Sequence, residues 1–256
     1  MRLTPRLHAL TEHIPLGCHL ADVGSDHAYF SSWLVLQEQV SSVVAIEVAE
    51  GPYQASQRTV RALGLQERID VRKGSGLTPL LPGEVDTVVM AGMGGDLMRS
   101  ILQEGSEVLT GVGRLILQPN AGVSGLRKWL FHHAWRLRDE AIVVDAGRLY
   151  EVLVAEPGEG DEPYRRSAEL WRQIAPDLAM SREILFWLGP LLLVKGGRLF
   201  TLWLEQEMIH CQQILDRMAS RGTGQAALLR QQQLQERMNV LRRVIQCLPT
   251  SGQLSN

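Results

Sequence analysis

The stretch Leu20-Ala21-Asp22-Val23-Gly24-Ser25-Asp26-His27-Ala28-Tyr29 decides the fold. Its first half reads as a buried strand, Gly24 as a turn, and the residues after it as the start of a helix. In open parallel sheets, ligands sit in the crevice at the carboxyl ends of the strands, so this elbow is where chemistry is expected. A dinucleotide site would carry a G-x-G-x-x-G pattern, letting a bare helix N-terminus meet a pyrophosphate. Only Gly24 is present here, and Asp22 and Asp26 flank it. Two carboxylates repel a diphosphate and suit a ligand that carries positive charge.

S-adenosyl-L-methionine is such a ligand, because its ammonium and sulfonium lie close together. Further landmarks follow along the chain. Glu47 closes the run Val43-Val44-Ala45-Ile46, 23 positions after Gly24, with Val48 next to it. An acid at that spacing accepts both hydroxyls of an adenosine ribose, although many strands end in an acid that only faces water. Gly74-Ser75-Gly76 offers backbone and small side chains to an adenine ring, or else a simple tight turn. Ala91-Gly92-Met93-Gly94-Gly95 ends an apolar strand, and its glycines allow a cofactor or substrate to approach the backbone.

Outward from the elbow, strand-length apolar runs alternate with helical stretches. Leu20 to Val23, Ser42 to Ile46, Arg68 to Val71, Val85 to Met90, Arg114 to Leu117, Ala141 to Val144 and Tyr150 to Val154 are read as strands. Helices are expected over Arg6 to His13, Tyr29 to Gln37, Pro52 to Ala62, Asp96 to Glu104 and Ser124 to His132. Alternation of this kind predicts an α/β fold, a parallel sheet with helices on both faces. The breaker-rich segment Glu156-Pro157-Gly158-Glu159-Gly160-Asp161-Glu162-Pro163 reads as a linker, so domains are expected over residues 1–156 and 157–256. The second part is almost wholly helical. Leu204, Met208, Cys211, Leu215 and Met218, and after Ser220-Arg221-Gly222-Thr223-Gly224 the set Leu234, Met238, Leu241, Ile245 and Leu248, have heptad spacing. They predict an antiparallel coiled-coil hairpin, either a stabiliser or dimer contact, or an arm that holds a large substrate.

Composition narrows the function. With 26 Lys and Arg against 28 Asp and Glu, the net charge is -2, which excludes a strongly cationic nucleic-acid binder but leaves room for a local basic patch. No run reaches the roughly 18 apolar residues of a membrane helix, and no signal-peptide core is visible at the N-terminus, so a soluble cytoplasmic protein is expected. Three scattered cysteines, Cys18, Cys211 and Cys247, suggest neither a disulfide framework nor a zinc site. No metal is expected: His132-His133 are adjacent, and neighbours on a helix diverge.

At its four landmarks and beyond, the sequence resembles the bacterial TrmK family, S-adenosylmethionine-dependent methyltransferases that modify N1 of adenine 22 in tRNA. The runs Gly24-Ser25-Asp26-His27-Ala28-Tyr29, Ala91-Gly92-Met93-Gly94-Gly95, Leu117-Gln118-Pro119-Asn120 and Tyr150-Glu151-Val152-Leu153-Val154-Ala155-Glu156 carry the resemblance over nearly the whole chain. It implies a Rossmann-like class I methyltransferase domain followed by a helical coiled-coil domain, with S-adenosyl-L-methionine as cofactor and tRNA as partner. One departure stands out: the family usually has Gly-Asp-Gly-Leu where this chain has Gly74-Ser75-Gly76-Leu77. Ser75 replaces a charged acceptor for the adenine amino group by a neutral one, which should weaken cofactor binding.

Under this reading Asp22, Gly24, Ser25, Glu47, Val48, Gly74, Ser75, Gly76, Ala91, Gly92, Met93 and Gly94 are expected around the cofactor. Asp26 is the candidate catalytic carboxylate, and its competing role is to cap the following helix. His27 and Tyr29 are candidate substrate contacts, by hydrogen bonding and by stacking, or plain packing residues. Gln118, Pro119 and Asn120 present two amides about a stiff turn, suited to a base edge or to loop hydrogen bonds. Arg127-Lys128, Arg136, Arg138, Arg165-Arg166 and the hairpin's Arg217, Arg221, Arg230, Arg237, Arg242 and Arg243 are the available phosphate ligands. Monomer is favoured over oligomer. The rivals are a small-molecule methyltransferase, a non-catalytic adaptor on the same fold and, more distantly, a nicotinamide dehydrogenase.

Overall fold

The computed structural model describes residues 1–219 and 224–248. Two compact units result, Met1–Pro163 and Tyr164–Asn256. In the first, helix α1 (Pro5–Thr11) precedes strand β1 (Cys18–Val23), then α2 (Tyr29–Leu36), β2 (Val40–Glu47), α3 (Glu50–Ala62), β3 (Ile69–Lys73) and β4 (Thr87–Met93). There follow α4 (Gly95–Glu104), the short α5 (Ser106–Leu109), β5 (Arg114–Pro119), α6 (Val123–His132), β6 (Trp135–Asp145) and β7 (Arg148–Pro157). Thr4 starts α1 by accepting a hydrogen bond from the Leu7 N–H, and Pro5 stands at its first turn, where a missing N–H costs nothing.

The seven strands form one sheet in the order β3-β2-β1-β4-β5-β7-β6. The four pairings from β3 to β5 run parallel, and β7 then pairs antiparallel with both β5 and β6. The expected all-parallel sheet is therefore corrected to a mixed one. The cause is local: Ala146 (φ 48°) and Gly147 (φ 75°) sit at the tip between β6 and β7, the left-handed pair that a tight two-residue hairpin requires. Strands β1, β2 and β4 are buried nearly continuously, as expected for strands covered on both faces, and Leu20, Ala45, Val89 and Ile116 belong to the core.

Arg127 lies wholly inside this unit, with its Nε 2.6 Å from Glu140 of β6 and its NH2 on Glu151 of β7. The expected linker packs onto the same unit: a side chain on buried Gly160 would stand 2.7 Å from the carbonyl oxygen of Phe131. That docking carries the first unit past Glu156 to Pro163.

The second unit is helical, with α7 (Glu162–Ile174) leading into it, then α8 (Arg182–Leu188), α9 (Pro190–Lys195), α10 (Arg198–Ala219) and α11 (Gln225–Cys247). Trp171, fully buried, donates to the Leu193 carbonyl, and Tyr164 meets Phe186 edge-on. Helices α10 and α11 lie against each other. Of the seam residues, Leu204, Cys211, Leu234, Met238 and Leu241 are buried, while Met208, Leu215, Met218, Ile245 and Leu248 are half-buried. The turn residues Ser220, Arg221, Gly222 and Thr223 lie outside the described residues. Among the described residues no helix is long and apolar enough to cross a membrane.

Candidate active site

The sheet order reverses direction between β1 and β4, which leaves a crevice at their carboxyl ends. The elbow after β1 occupies it. Gly24 (φ 76°) turns the chain, and its N–H bonds to the Ile46 carbonyl. Its positive φ favours glycine by conformation, and a Cβ there would stand 3.2 Å from the Met93 methyl, which would have to give way slightly. Asp26, His27 and Ala28 then adopt φ of 44°, 70° and 56°, three consecutive non-glycine residues in the left-handed region. Each costs on the order of 1 kcal/mol, and such strain persists only where the surroundings fix it.

The strained run keeps Asp26 outside the helix that follows. Ala28, not Asp26, is the N-cap of α2 and has no side-chain cap bond, so the capping alternative is corrected. The Asp26 side chain stays 86% exposed, 3.4 Å from His27 Nε2, and His27 leans on Tyr29 with ring centroids 5.8 Å apart. Tyr29 itself is half exposed.

Asp22 is the opposite case. Its carboxylate is buried and its Oδ2 accepts from the hydroxyls of Ser25 (2.7 Å) and Ser31 (2.6 Å). Burial pushes its pKa up, and the two hydroxyls oppose that shift. Glu47 is buried too, accepting from Ser56 at 3.4 Å. Desolvation raises its pKa first, and the nearby charges of Asp22 and Asp26 add to the rise. Among the described residues no cation pairs with Asp22 or Glu47. A cavity of about 660 Å³ opens here, lined by Asp22, Gly24, Ser25, Asp26, Tyr29, Ala91 and Gly92 from the strand ends, and by the segment Met1 to Leu7.

At the ends of β4 and β5 the backbone is locked. Gln118, fully buried, accepts from the Gly92 N–H at 3.1 Å and from Arg6, and donates to the Pro119 carbonyl. Its amide is thus spent on the protein, which corrects its expected role as a reader of a base edge. Pro119 is buried. Asn120 is exposed, yet its amide donates to the Gly92 carbonyl at 2.7 Å, so it too shapes the loop. Gly94 is the N-cap of α4, and a side chain at Gly95 would strike the Gly122 carbonyl oxygen at 2.6 Å.

The remaining expected residues flank β2 and β3. Val48 is exposed beyond Glu47. Gly74 donates to the Glu47 carbonyl, Gly76 is left-handed and close to Ile101, and the Ser75 side chain faces solvent.

With the crevice in place, comparison with known proteins is decisive. A family profile described as "TrmK: tRNA (adenine(22)-N(1))-methyltransferase" matches residues 20–243. The chain belongs to the TrmK family. It is 36% identical over 245 residues to the tRNA (adenine(22)-N(1))-methyltransferase of Bacillus subtilis, covering 96% of this chain and 98% of the relative. The solved Bacillus subtilis TrmK structure superposes with a TM-score of 0.84, at 36% identity, over 95% of this chain and 99% of that one. A Streptococcus pneumoniae protein solved in complex with S-adenosyl-L-methionine is 32% identical, with a TM-score of 0.79 over 95% and 100% of the two chains.

Two features of this TrmK chain escaped the sequence reading. Arg6 reaches from α1 to Gln118, Tyr150 and Gly92 at the crevice, and only its position just before an apolar helix could have drawn attention to it. The arginines also need sorting. Arg127 is removed from the phosphate ligands by its complete burial between Glu140 and Glu151. Arg243 is held by both oxygens of Asp177, and Arg237 lies over the Trp187 ring at 4.9 Å. Arg138, Arg165, Arg166, Arg230 and Arg242 are exposed, and Arg221 lies outside the described residues.

Proposed function

We propose that this protein transfers a methyl group from S-adenosyl-L-methionine to N1 of adenine 22 in tRNA, with Asp26 stabilising the base as it becomes cationic. The observation that carries the cofactor assignment is the cavity whose β1 wall presents buried Asp22, which no cation pairs with among the described residues. A buried carboxylate left without a counter-charge is costly, and a ligand ammonium removes that cost. Glu47 fits the ribose hydroxyls, and the glycine-rich ends of β3 and β4 fit a flat ring and a close backbone approach. The donor set therefore suits this cofactor and not a diphosphate.

When bound, the cofactor supplies an electrophilic methyl on sulfur, and adenine N1 attacks it with its own lone pair, so no base is needed. The protein's share is alignment and electrostatics. Alignment of reacting groups is worth roughly 7–11 kcal/mol in favourable cases. The Gln118 and Asn120 amides hold Gly92, so the wall of the cavity cannot drift. Asp26, exposed at the cavity and fixed by its strained backbone, is available to accept from the N6 amino group as charge grows. His27 and Tyr29 stand beside it as contacts for the base.

N1 lies on the pairing edge, so adenine 22 must be unpaired or swung out at a cost of a few kcal/mol. Contacts to the tRNA body offset this, and the exposed arginines of the helical unit, its α10–α11 pair acting as a coiled-coil arm, are assigned to phosphates. We take the enzyme to act as a cytoplasmic monomer. Incubating purified protein with unmodified tRNA and labelled cofactor, then mapping the methylated nucleotide, tests the proposal. Label at adenine 22 is expected. Label in a metabolite extract but not in tRNA would overturn the substrate.

A further inference from the structure

Strands β6 and β7 run on past their neighbour β5, and we propose that Arg148, at the tip of the hairpin they form, binds a backbone phosphate beside the target adenine of the tRNA. This rests on the reading of the chain as a tRNA methyltransferase, and it adds a substrate contact from the catalytic unit itself. The overhang follows from the register. The last rung between β5 and β7 is Leu117 with Leu153, after which β5 runs only two residues further, to Pro119. Strand β7 is antiparallel, so its start lies toward that same end, and it begins five residues before Leu153, at Arg148, still paired with Asp145 of β6. The tip therefore stands about three residues past the end of β5, or roughly 10 Å. This is the carboxyl end of the parallel strands, where the crevice opens.

Alternation decides which way Arg148 faces. Residues two apart on a strand share a face, and so do residues directly opposite in an antiparallel pair. Arg148 thus shares a hairpin face with Tyr150 and with Asp145. Both of those meet Arg6: its guanidinium carbon lies 5.2 Å from the centroid of the Tyr150 ring, and its Nε 3.7 Å from the Asp145 carboxylate. Arg6 lines the cavity, so Arg148 belongs to the cavity side of the hairpin. Its charge is unspent. Arg148 is exposed and makes no ion pair among the described residues, whereas nearby acids of the two strands are paired, Asp145 with Arg6, and Glu140 and Glu151 with Arg127. Ala146 and Gly147, both left-handed, keep the turn tight beneath it.

The position selects the ligand. A base held in the cavity leaves its ribose and phosphate outside, at the rim. There the phosphate meets Asp26, whose side chain is 86% exposed, and like charges within a Debye length of about 10 Å repel. A guanidinium above the rim offsets that repulsion and can grip a phosphate with two parallel bonds.

Fluorescence anisotropy of the purified full chain on unmodified tRNA, repeated across a salt series, tests the assignment. Arg148→Ala should bind tRNA about tenfold more weakly at low salt, and the slope of log affinity against log salt should fall by about one, the signature of one lost phosphate contact. Arg148→Lys should keep the slope, and Arg148→Glu should bind more weakly still. Kinetics should show a raised KM for tRNA with kcat near that of the parent, and calorimetry an unchanged cofactor affinity, which also shows that the variant is folded. A tRNA with one uncharged methylphosphonate linkage, on a 2′-deoxy sugar beside adenine 22, places the contact. It should bind the parent about as weakly as ordinary tRNA binds Arg148→Ala, and the two changes together should cost little more than either.

Unchanged affinity and salt slope in Arg148→Ala and Arg148→Glu overturn the proposal. A loss of affinity with the slope intact overturns it too, as does one that adds in full to that of the methylphosphonate, which would set the arginine against another part of the RNA. Lost cofactor affinity in the variant would make the role of the tip structural, which is also a refutation. If the unaltered protein neither binds nor methylates tRNA, the tRNA reading itself falls, which is a separate failure.

Discussion

Glu140 and Glu151 are buried on β6 and β7 with the Arg127 guanidinium between them, whereas Asp22 and Glu47 are buried at the ends of β1 and β2 and, among the described residues, pair with hydroxyls and no cation. The same sheet thus holds one set of carboxylates that an arginine neutralises and one that no cation pairs with among the described residues. The first set ties α6 to the antiparallel edge of the sheet. The second has raised pKa values, caused first by burial.

The largest effect is expected on the neutralised side. Arg127→Met strands two buried acids and should lower stability by about 3–5 kcal/mol in urea denaturation. A loss below about 1 kcal/mol would show that Glu140 and Glu151 do not depend on it. Next comes the exposed acid of the elbow. Asp26→Ala should cut turnover by about 10- to 100-fold while cofactor affinity in calorimetry stays near normal. Near-normal turnover would remove Asp26 from the mechanism.

Asp22→Asn sharpens the contrast further. Cofactor affinity should fall by about tenfold, the scale of a lost charge-assisted bond, yet the ligand-free protein should be no less stable at neutral pH. The sign follows from linkage. Asp22 has a folded pKa above its ordinary 3.8, so the folded state holds the proton more tightly than the unfolded one. Its cost to stability is absent below about that ordinary value and sets in as pH rises through the raised one. Melting curves should therefore favour Asp22→Asn near pH 7 and converge with the parent in acid; a gap that widens in acid would contradict the uncompensated charge. The smallest change is at the surface: Ser75→Asp, which restores the acceptor usual in the family, should tighten cofactor binding several-fold. Unchanged affinity would mean that the adenine amino group does not meet this position.

How much was legible beforehand depends on how local each feature is. The strand-elbow-helix at Leu20 to Tyr29 and the acid at Glu47 were readable because turn chemistry and spacing act over a few residues. The parallel strands were readable for the same reason, from the alternation of apolar runs with helical stretches. The antiparallel β6–β7 edge was not, since Ala146-Gly147 looks unremarkable until its two left-handed φ values are seen. Lys128 and Arg127 are neighbours of equal charge in the sequence, yet one is exposed and the other wholly buried, and no local pattern separates them.

The sequence by itself determined the fold class, the acid-flanked elbow that excludes a diphosphate, and membership of a methyltransferase family through runs spread along the chain. Only the tertiary structure decided that Gln118 serves the protein and not a base, that Arg6 joins it across 112 positions, and that Arg127 is a buried counter-ion. The reason is physical. Backbone conformation and periodic burial are set by near neighbours, whereas the partner of a long polar side chain is chosen by whatever packing brings within 3 Å or so, from anywhere in the chain.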